Sequence, residues 1–352
     1  MNNLDTMRLL GGCLAPGGEE LNGFLAERLN SRGMDWKRLM LIASGHYLAP
    51  ALNIALKRRG LWEVPPGEIR EILQVAELLN RERNAGCYRQ LLAIIRRLNS
   101  AGIRPMLLKG AISLLPVQFP RIEGRVISDL DVLVPEDSIE DARRAVMELG
   151  YAHDWKINME RYEDHHLAPL FHPECEVPLE LHRAVTDPRV KPILETKQMW
   201  RCARPVEFDG VEALIPDNYS RLLHNVVHAR LQDRYLRDFK LSMRQLNDWV
   251  QLRDYGEPEI DWRRMWENFN RHGEAAVLGA YFLAARRLFG QPLPAGIEPS
   301  RAAILSERIT CLALRGPVWS FLLDGIKNHT MLALTPSIYL RVFRKWKASR
   351  RR

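Results

Sequence analysis

Closely spaced cysteines are missing from this chain. Its five, Cys13, Cys87, Cys175, Cys202 and Cys311, lie far apart and form no CxxC pair. That excludes a disulfide scaffold and a cysteine zinc site, and reads as reduced thiols in a cytoplasmic protein. No basic segment leads into an apolar core at the N-terminus, so no secretory signal is expected. Internal repeats are absent, and compositional bias is confined to the C-terminal end. Uncharged runs of membrane-spanning length are nearly absent. The one candidate, "LMLIASGHYLAPALNIAL" at residues 39–56, contains Ser44, Gly45, His46, Pro50 and Asn53. Pro50 would break a continuous helix. Two buried helical pieces joined at 46–50 are expected, not a membrane span.

What is present is an ordinary soluble composition. The 352 residues are 46% hydrophobic and 27% charged, enough for two or three domains. A formal net charge of +8 suits an anionic partner such as a nucleotide, nucleic acid or acidic membrane surface. Most of that excess lies in "RVFRKWKASRRR", residues 341–352, which has no acid. There Tyr339, Leu340, Phe343 and Trp346 interleave with the basic residues, predicting at most peripheral, salt-sensitive membrane contact. No RNA- or DNA-recognition motif accompanies the tail, so nucleic acid ranks last among partners.

Residues 1–98 have helical texture. "PPGEIREILQVAELLNRERNAGCYRQLLAIIRRLNSAG" opens on two prolines and closes on Asn99, Ser100 and Gly102. Between them Ile69, Ile72, Leu73, Ala76, Leu79, Leu91, Leu92, Ile95 and Leu98 recur at helical spacing. This predicts one long amphipathic helix, with Asn84–Gly86 the place where a kink would fall. The texture then changes. "RPMLLKG" reads as a strand, "AISLLPV" as a brief helix, "ISDLDVLV" as a strand and "PEDSIEDARRAVMELGY" as an amphipathic helix. "HHLAPLF" and "EVPLELH" flank a turn and form a hairpin. That order predicts a small mixed sheet with helices, an α+β core. From about residue 187 helical texture returns. The expected organisation is a helical region at 1–98, a core at 99–186, a helical domain at 187–338 and a basic tail at 339–352.

Within the core, "RVISDLDVLVPED" puts Asp129 and Asp131 two positions apart in an apolar strand. Strand side chains alternate faces, so both acids point the same way. Neighbouring carboxylates raise each other's pKa unless a cation neutralises them. Oxygen ligands at this spacing suit Mg²⁺ (or Mn²⁺), bound together with substrate phosphates, and such ions serve phosphoryl or nucleotidyl transfer. The spacing alone is weak, since chance gives about five acid-x-acid pairs in a chain of 352 residues with 43 acids. Glu174-x-Glu176 and Glu257-x-Glu259 are examples, and solvated loops are expected for both. Company sets the first pair apart. "LLKG" closes a strand on Lys109 and Gly110, where backbone N–H groups and a cation can meet a triphosphate. "EVPLELH" puts Glu180 in another strand, between Leu179 and Leu181. Three carboxylates facing a glycine turn describe a metal–triphosphate site.

These motifs are recognisable. "LLKGAISLL", "R-x-x-x-D-L-D-V-L-V" and "LELH", in that order, resemble the uncharacterised nucleotidyltransferase family within the DNA polymerase beta-like superfamily. The resemblance extends to "SGHYLAP" before the core and to "LLHNVVHAR" and "LNDW" after it. It implies a nucleotidyltransferase-fold core between mainly helical regions. It further implies that Asp129 and Asp131 ligate both metals, and that Glu180 completes one site and helps activate an acceptor hydroxyl. Lys109, Gly110 and Arg125 would meet the triphosphate. The substrates implied are a nucleoside triphosphate and an acceptor, small or macromolecular, that the sequence does not identify. Two departures stand out. Gly110 is followed by Ala111 where the superfamily has Ser or Gly, and the loop from Gly110 to Asp129 is long, through "PVQFPRIEGR". The alternative they leave is a binding or regulatory module that kept the fold and lost the chemistry.

Six histidines stand where ligands could be sought. His165, His166, His172 and His182 surround the hairpin, and a supporting role is expected of them, with His182 facing away from Glu180. His224 and His228 share a helix face at i, i+4 without an obvious third ligand, which favours packing or substrate contact over zinc.

Overall fold

The structure, a computed structural model, describes residues 1–115, 124–154, 165–175, 177–188, 193–232, 241–254 and 260–316. The N-terminal part is helical: α1 (Asn3–Leu14), α2 (Glu19–Asn30), α3 (Trp36–Gly45), α4 (Ala49–Arg58) and α5 (Gly67–Ser100). The uncharged run at 39–56 forms the end of α3 and most of α4, with Pro50 in the first turn of α4, where a missing N–H costs nothing. Among the described residues no helix is long and apolar enough to cross a membrane. Helix α5 follows the two prolines and runs unbroken through Asn84–Gly86. Its buried face is narrower than the spacing predicts. Ile69, Leu73, Leu91, Ile95 and Leu98 are buried, whereas Ile72 and Leu79 are exposed. The first half of α5 packs on α4 along one side only, and those two residues lie off that contact.

The core sheet begins at β1 (Met106–Leu107), followed by a 3-10 turn at Lys109–Leu114 and then β2 (Leu130–Leu133). Next come α6 (Ile139–Met147), β3 (Ala152–His153), β4 (Leu170–Phe171), β5 (Leu179–His182) and α7 (Thr196–Arg201). A hairpin, β6 (Arg204–Phe208) and β7 (Val211–Ile215), leads into α8 (Asn218–Val227). The strands form one mixed sheet in the order β3-β4-β5-β2-β1-β7-β6. Helical texture was expected throughout this last region, and the hairpin departs from it. Val211, Ala213 and Ile215 alternate inward, the turn is Asp209-Gly210 with both residues at positive φ, and β7 joins the sheet parallel to β1.

Alternation decides what each face carries. Leu130 and Val132 of β2, with Leu179 and Leu181 of β5, pack against Leu91, Ile94, Ile95 and Leu98 of α5 and against α6. Strands β2 and β5 are parallel, in register Asp131↔Glu180 and Leu133↔His182. The opposite face therefore receives Asp131, Glu180 and His182, and it looks toward the C-terminal helices.

Those helices are α8, α9 (Met243–Asp254), α10 (Trp262–Arg271), α11 (Ala275–Phe289) and α12 (Arg301–Leu314). Trp249 of α9 is fully buried against Trp262, Tyr281 and Phe282. This aromatic cluster fixes the rotation of α9 and so the direction of its neighbour Asp248. The basic tail at 339–352 lies outside the described residues.

Candidate active site

Glycines and ion pairs build the site before any acid is placed. Two residues past the end of β1 comes Lys109, a non-glycine residue at φ 43° that opens the 3-10 turn and leads the chain out of the sheet. Gly110 follows because nothing larger fits: a Cβ there would lie 2.0 Å from Nη1 of Arg125 and 3.2 Å from Cδ1 of Ile127. Arg125 is held from three directions. Its Nε donates to Oδ2 of Asp248 at 2.8 Å. Its carbonyl accepts from Asn84 Nδ2 at 2.9 Å and Asn80 Nδ2 at 3.3 Å, both on α5. Gly124 before it, at φ 68°, lies where a Cβ would strike the α4 backbone at Ala51.

The acids converge on the free sheet face. Asp131 is fully buried, and its Oδ1 accepts from Lys109 Nζ at 2.8 Å and from His182 Nε2 at 2.9 Å. Its Oδ2 is also buried and has no hydrogen-bond partner among the described residues. His182 Nε2 also lies 3.7 Å from Oε2 of Glu180. Asp129 accepts from Ser128 Oγ at 3.0 Å and lines the cavity together with Glu180, Lys109 and Arg125. All six residues singled out from the sequence therefore meet at one place, Gly110 through its contact with Arg125.

Electrostatics separates the two aspartates. Burial opposes ionisation of Asp131, but Lys109 and His182 outweigh it and hold the carboxyl well below the usual range. Burial and then the charge of Asp131 push Asp129 up. Burial also works against Glu180, yet hydrogen bonding to His182 brings it below its ordinary value. Lys109 is partly buried, and the three acids overcome that penalty and keep it protonated. The expectation that His182 faces away from Glu180 is wrong. Positions i and i+2 of a strand share a face, and His182 sits behind both carboxylates. Among the described residues, Asp131, Glu180 and His182 form the one group whose ligand atoms come close enough to share a metal ion.

His165 and His166 complete the rim beside Glu180, with ring centroids 5.9 and 5.0 Å from His182. Burial, with help from the neighbouring histidines, pushes His165 down to about 3, so it is neutral. The opposite wall of the cavity, about 290 Å³ in volume, comes from α8 and α9 and includes Arg221, His224, Arg244 and Asp248. His224 and His228 both line it, and neither belongs to a metal-ligand group among the described residues. Arg244 and Asp248 were not singled out from the sequence. The signal lay in "LNDW", where an acid next to a tryptophan marks a helix that is buried and yet paired.

No curated protein and no solved structure matches the chain. The model of a family described as uncharacterised nucleotidyltransferase matches residues 32–290, from the approach to α3 through α11, and so takes in the sheet, the acids and both walls of the cavity. With that span and these residues in it, the chain belongs to the uncharacterised nucleotidyltransferase family.

Proposed function

We propose that the protein transfers a nucleoside monophosphate from a nucleoside triphosphate to an acceptor hydroxyl and releases pyrophosphate. One observation carries this reading: Asp129, Asp131 and Glu180 crowd one sheet face beside Lys109, and a buried oxygen of Asp131 has no partner among the described residues. Such an arrangement is costly unless cations complete it. The oxygen donors fit Mg²⁺ or Mn²⁺, and Asp129, Asp131 and Glu180 would hold the ions. Bound there, the ions would neutralise the triphosphate and stabilise charge on the leaving pyrophosphate.

The chain's own groups do the rest. Lys109, kept protonated, supplies a cation for the phosphates next to the Gly110 turn. Glu180 stays ionised and accepts a hydrogen bond from the acceptor hydroxyl, orienting its oxygen toward the α-phosphorus. The acceptor oxygen–phosphorus bond forms as the bond from the α-phosphorus to the bridging oxygen breaks, and pyrophosphate departs. The acceptor's proton leaves through the hydrogen bond to Glu180. His182, behind both carboxylates, fixes their direction.

The test uses binding and transfer separately. Mg²⁺ or Mn²⁺ with a nucleoside triphosphate should raise the melting temperature, since ligands bound only by the native state stabilise it. Asp129→Asn with Asp131→Asn should abolish that shift, and an undiminished shift would sink the reading. Glu180→Gln should keep the shift and stop pyrophosphate release. Triphosphate binding without release toward any acceptor, and indifference to Glu180→Gln, would support an inactive binding module instead.

A further inference from the structure

Helix α3 ends on a residue that its local geometry disfavours. The chain leaves α3 through a turn in which Tyr47 N–H donates to Ser44 O at 3.0 Å and Leu48 N–H to Ala43 O at 2.7 Å. This turn needs a left-handed residue just past the helix, and glycine is its usual occupant. The same molecule shows the rule. Helices α4, α5 and α10 end with Gly60, Gly102 and Gly273 at that position, all at positive φ. Helix α3 instead has Tyr47, at φ 58°. A glycine is close by, but Gly45 stands two residues early, inside the helix. Left-handed backbone is strained for an aromatic residue, and such strain collects at functional sites.

Packing does not account for the ring, since Tyr47 is 56% exposed. Its ring meets Arg244, whose guanidinium carbon lies 5.4 Å from the ring centroid. Arg244 lines the cavity, and its Nη1 reaches Ser128 Oγ at 3.5 Å. That hydroxyl in turn donates to Asp129 at 3.0 Å. An exposed aromatic ring thus stands against a cavity-lining arginine, two side chains away from the first acid.

We propose that Tyr47, braced by Arg244, is the surface on which the nucleobase of the triphosphate stacks. The proposal rests on the triphosphate reading above and adds what distinguishes a nucleotide from bare polyphosphate. Every base offers a π-face, so a stacking surface holds nucleotides with little choice among bases.

Calorimetric titration of the full chain with the Mg²⁺ salts of ATP and of inorganic tripolyphosphate tests it, without acceptor. Tyr47→Gly removes the ring and relieves the backbone, so its melting temperature should not fall. It should bind ATP roughly 5- to 150-fold more weakly, the range that about 1–3 kcal/mol of base–aromatic stacking represents. Its tripolyphosphate affinity should stay at the wild-type value, and Tyr47→Phe should behave as wild type toward both ligands. Equal ATP affinity in wild type and Tyr47→Gly would overturn this proposal and leave the triphosphate reading standing. Parallel loss of both ligands, or a lowered melting temperature, would also overturn it, by showing that the ring supports the fold. A wild-type protein that binds neither ligand would overturn both readings together.

Discussion

At Gly110 the backbone has to make room for a guanidinium group. A methyl group there would meet Nη1 of Arg125, which is poorly placed to retreat because Asp248 holds its Nε and α5 holds its carbonyl. Gly110→Ala is therefore expected to destabilise the fold by about 1–3 kcal/mol, the usual cost of forcing volume into a packed site. Urea denaturation would measure it. In an Arg125→Ala background the penalty should shrink by at least about 0.5 kcal/mol, because the two groups touch. Strictly additive losses would show that the clash is not the cause. The sequence marks Gly110 as a phosphate turn for its freedom of backbone approach, and the structure adds a packing reason that no local pattern contains. Lys109 makes the same point from the other side. Its charge was legible next to Gly110, but its left-handed backbone was not, because lysine carries no such preference.

At the scale of elements, two periodicities carried most of what could be read. Period two set Asp129 and Asp131 on one side of β2, and the parallel register with β5 brings Glu180 level with Asp131. Pro50 and the two flanking apolar runs marked the α3–α4 junction. The β6–β7 hairpin had its own signal, Asp209-Gly210 between alternating residues, but it is surrounded by helical sequence. Its parallel pairing with β1 joins residues more than 100 positions apart, which no local window can see. Helix α8 offers a test at this scale. Its His224 is buried in the cavity wall, and burial, then the charges of Lys109 and His228, hold its pKa well below the ordinary 6.5. The folded state thus leaves His224 neutral where the unfolded chain would protonate it. Its contribution is complete above pH 6.5 and is lost as the pH falls below that value. The slope is about 1.4 kcal/mol per pH unit for one such histidine. Urea midpoints at pH 7, 6 and 5 should therefore fall more steeply for wild type than for His224→Gln. Parallel profiles would mean that His224 takes up its proton in the folded protein.

Across the whole molecule, Arg125 and Asp248 join parts that lie 123 positions apart in the chain. The arginine's carbonyl belongs to the N-terminal helices through Asn80 and Asn84, and Gly124 rests on the α4 backbone. Its guanidinium belongs to the sheet face through Gly110, and its partner Asp248 to the C-terminal helices beside the buried Trp249. A pair with side chains 10% and 7% exposed gains little net stability, because both charges lose their hydration. Breaking it is another matter. Asp248→Leu leaves an unpaired guanidinium in a dry wall and should cost about 3–5 kcal/mol, read as a lower urea midpoint. Arg125→Met together with Asp248→Leu removes both charges at similar volume and should recover most of that loss. Function should not recover with stability, because Arg125 lines the cavity that holds the acids. The double variant is therefore expected to melt close to wild type while its thermal shift with Mg²⁺ and triphosphate shrinks. A variant with both stability and that shift restored would reduce the pair to a packing device, with no part in the site it spans.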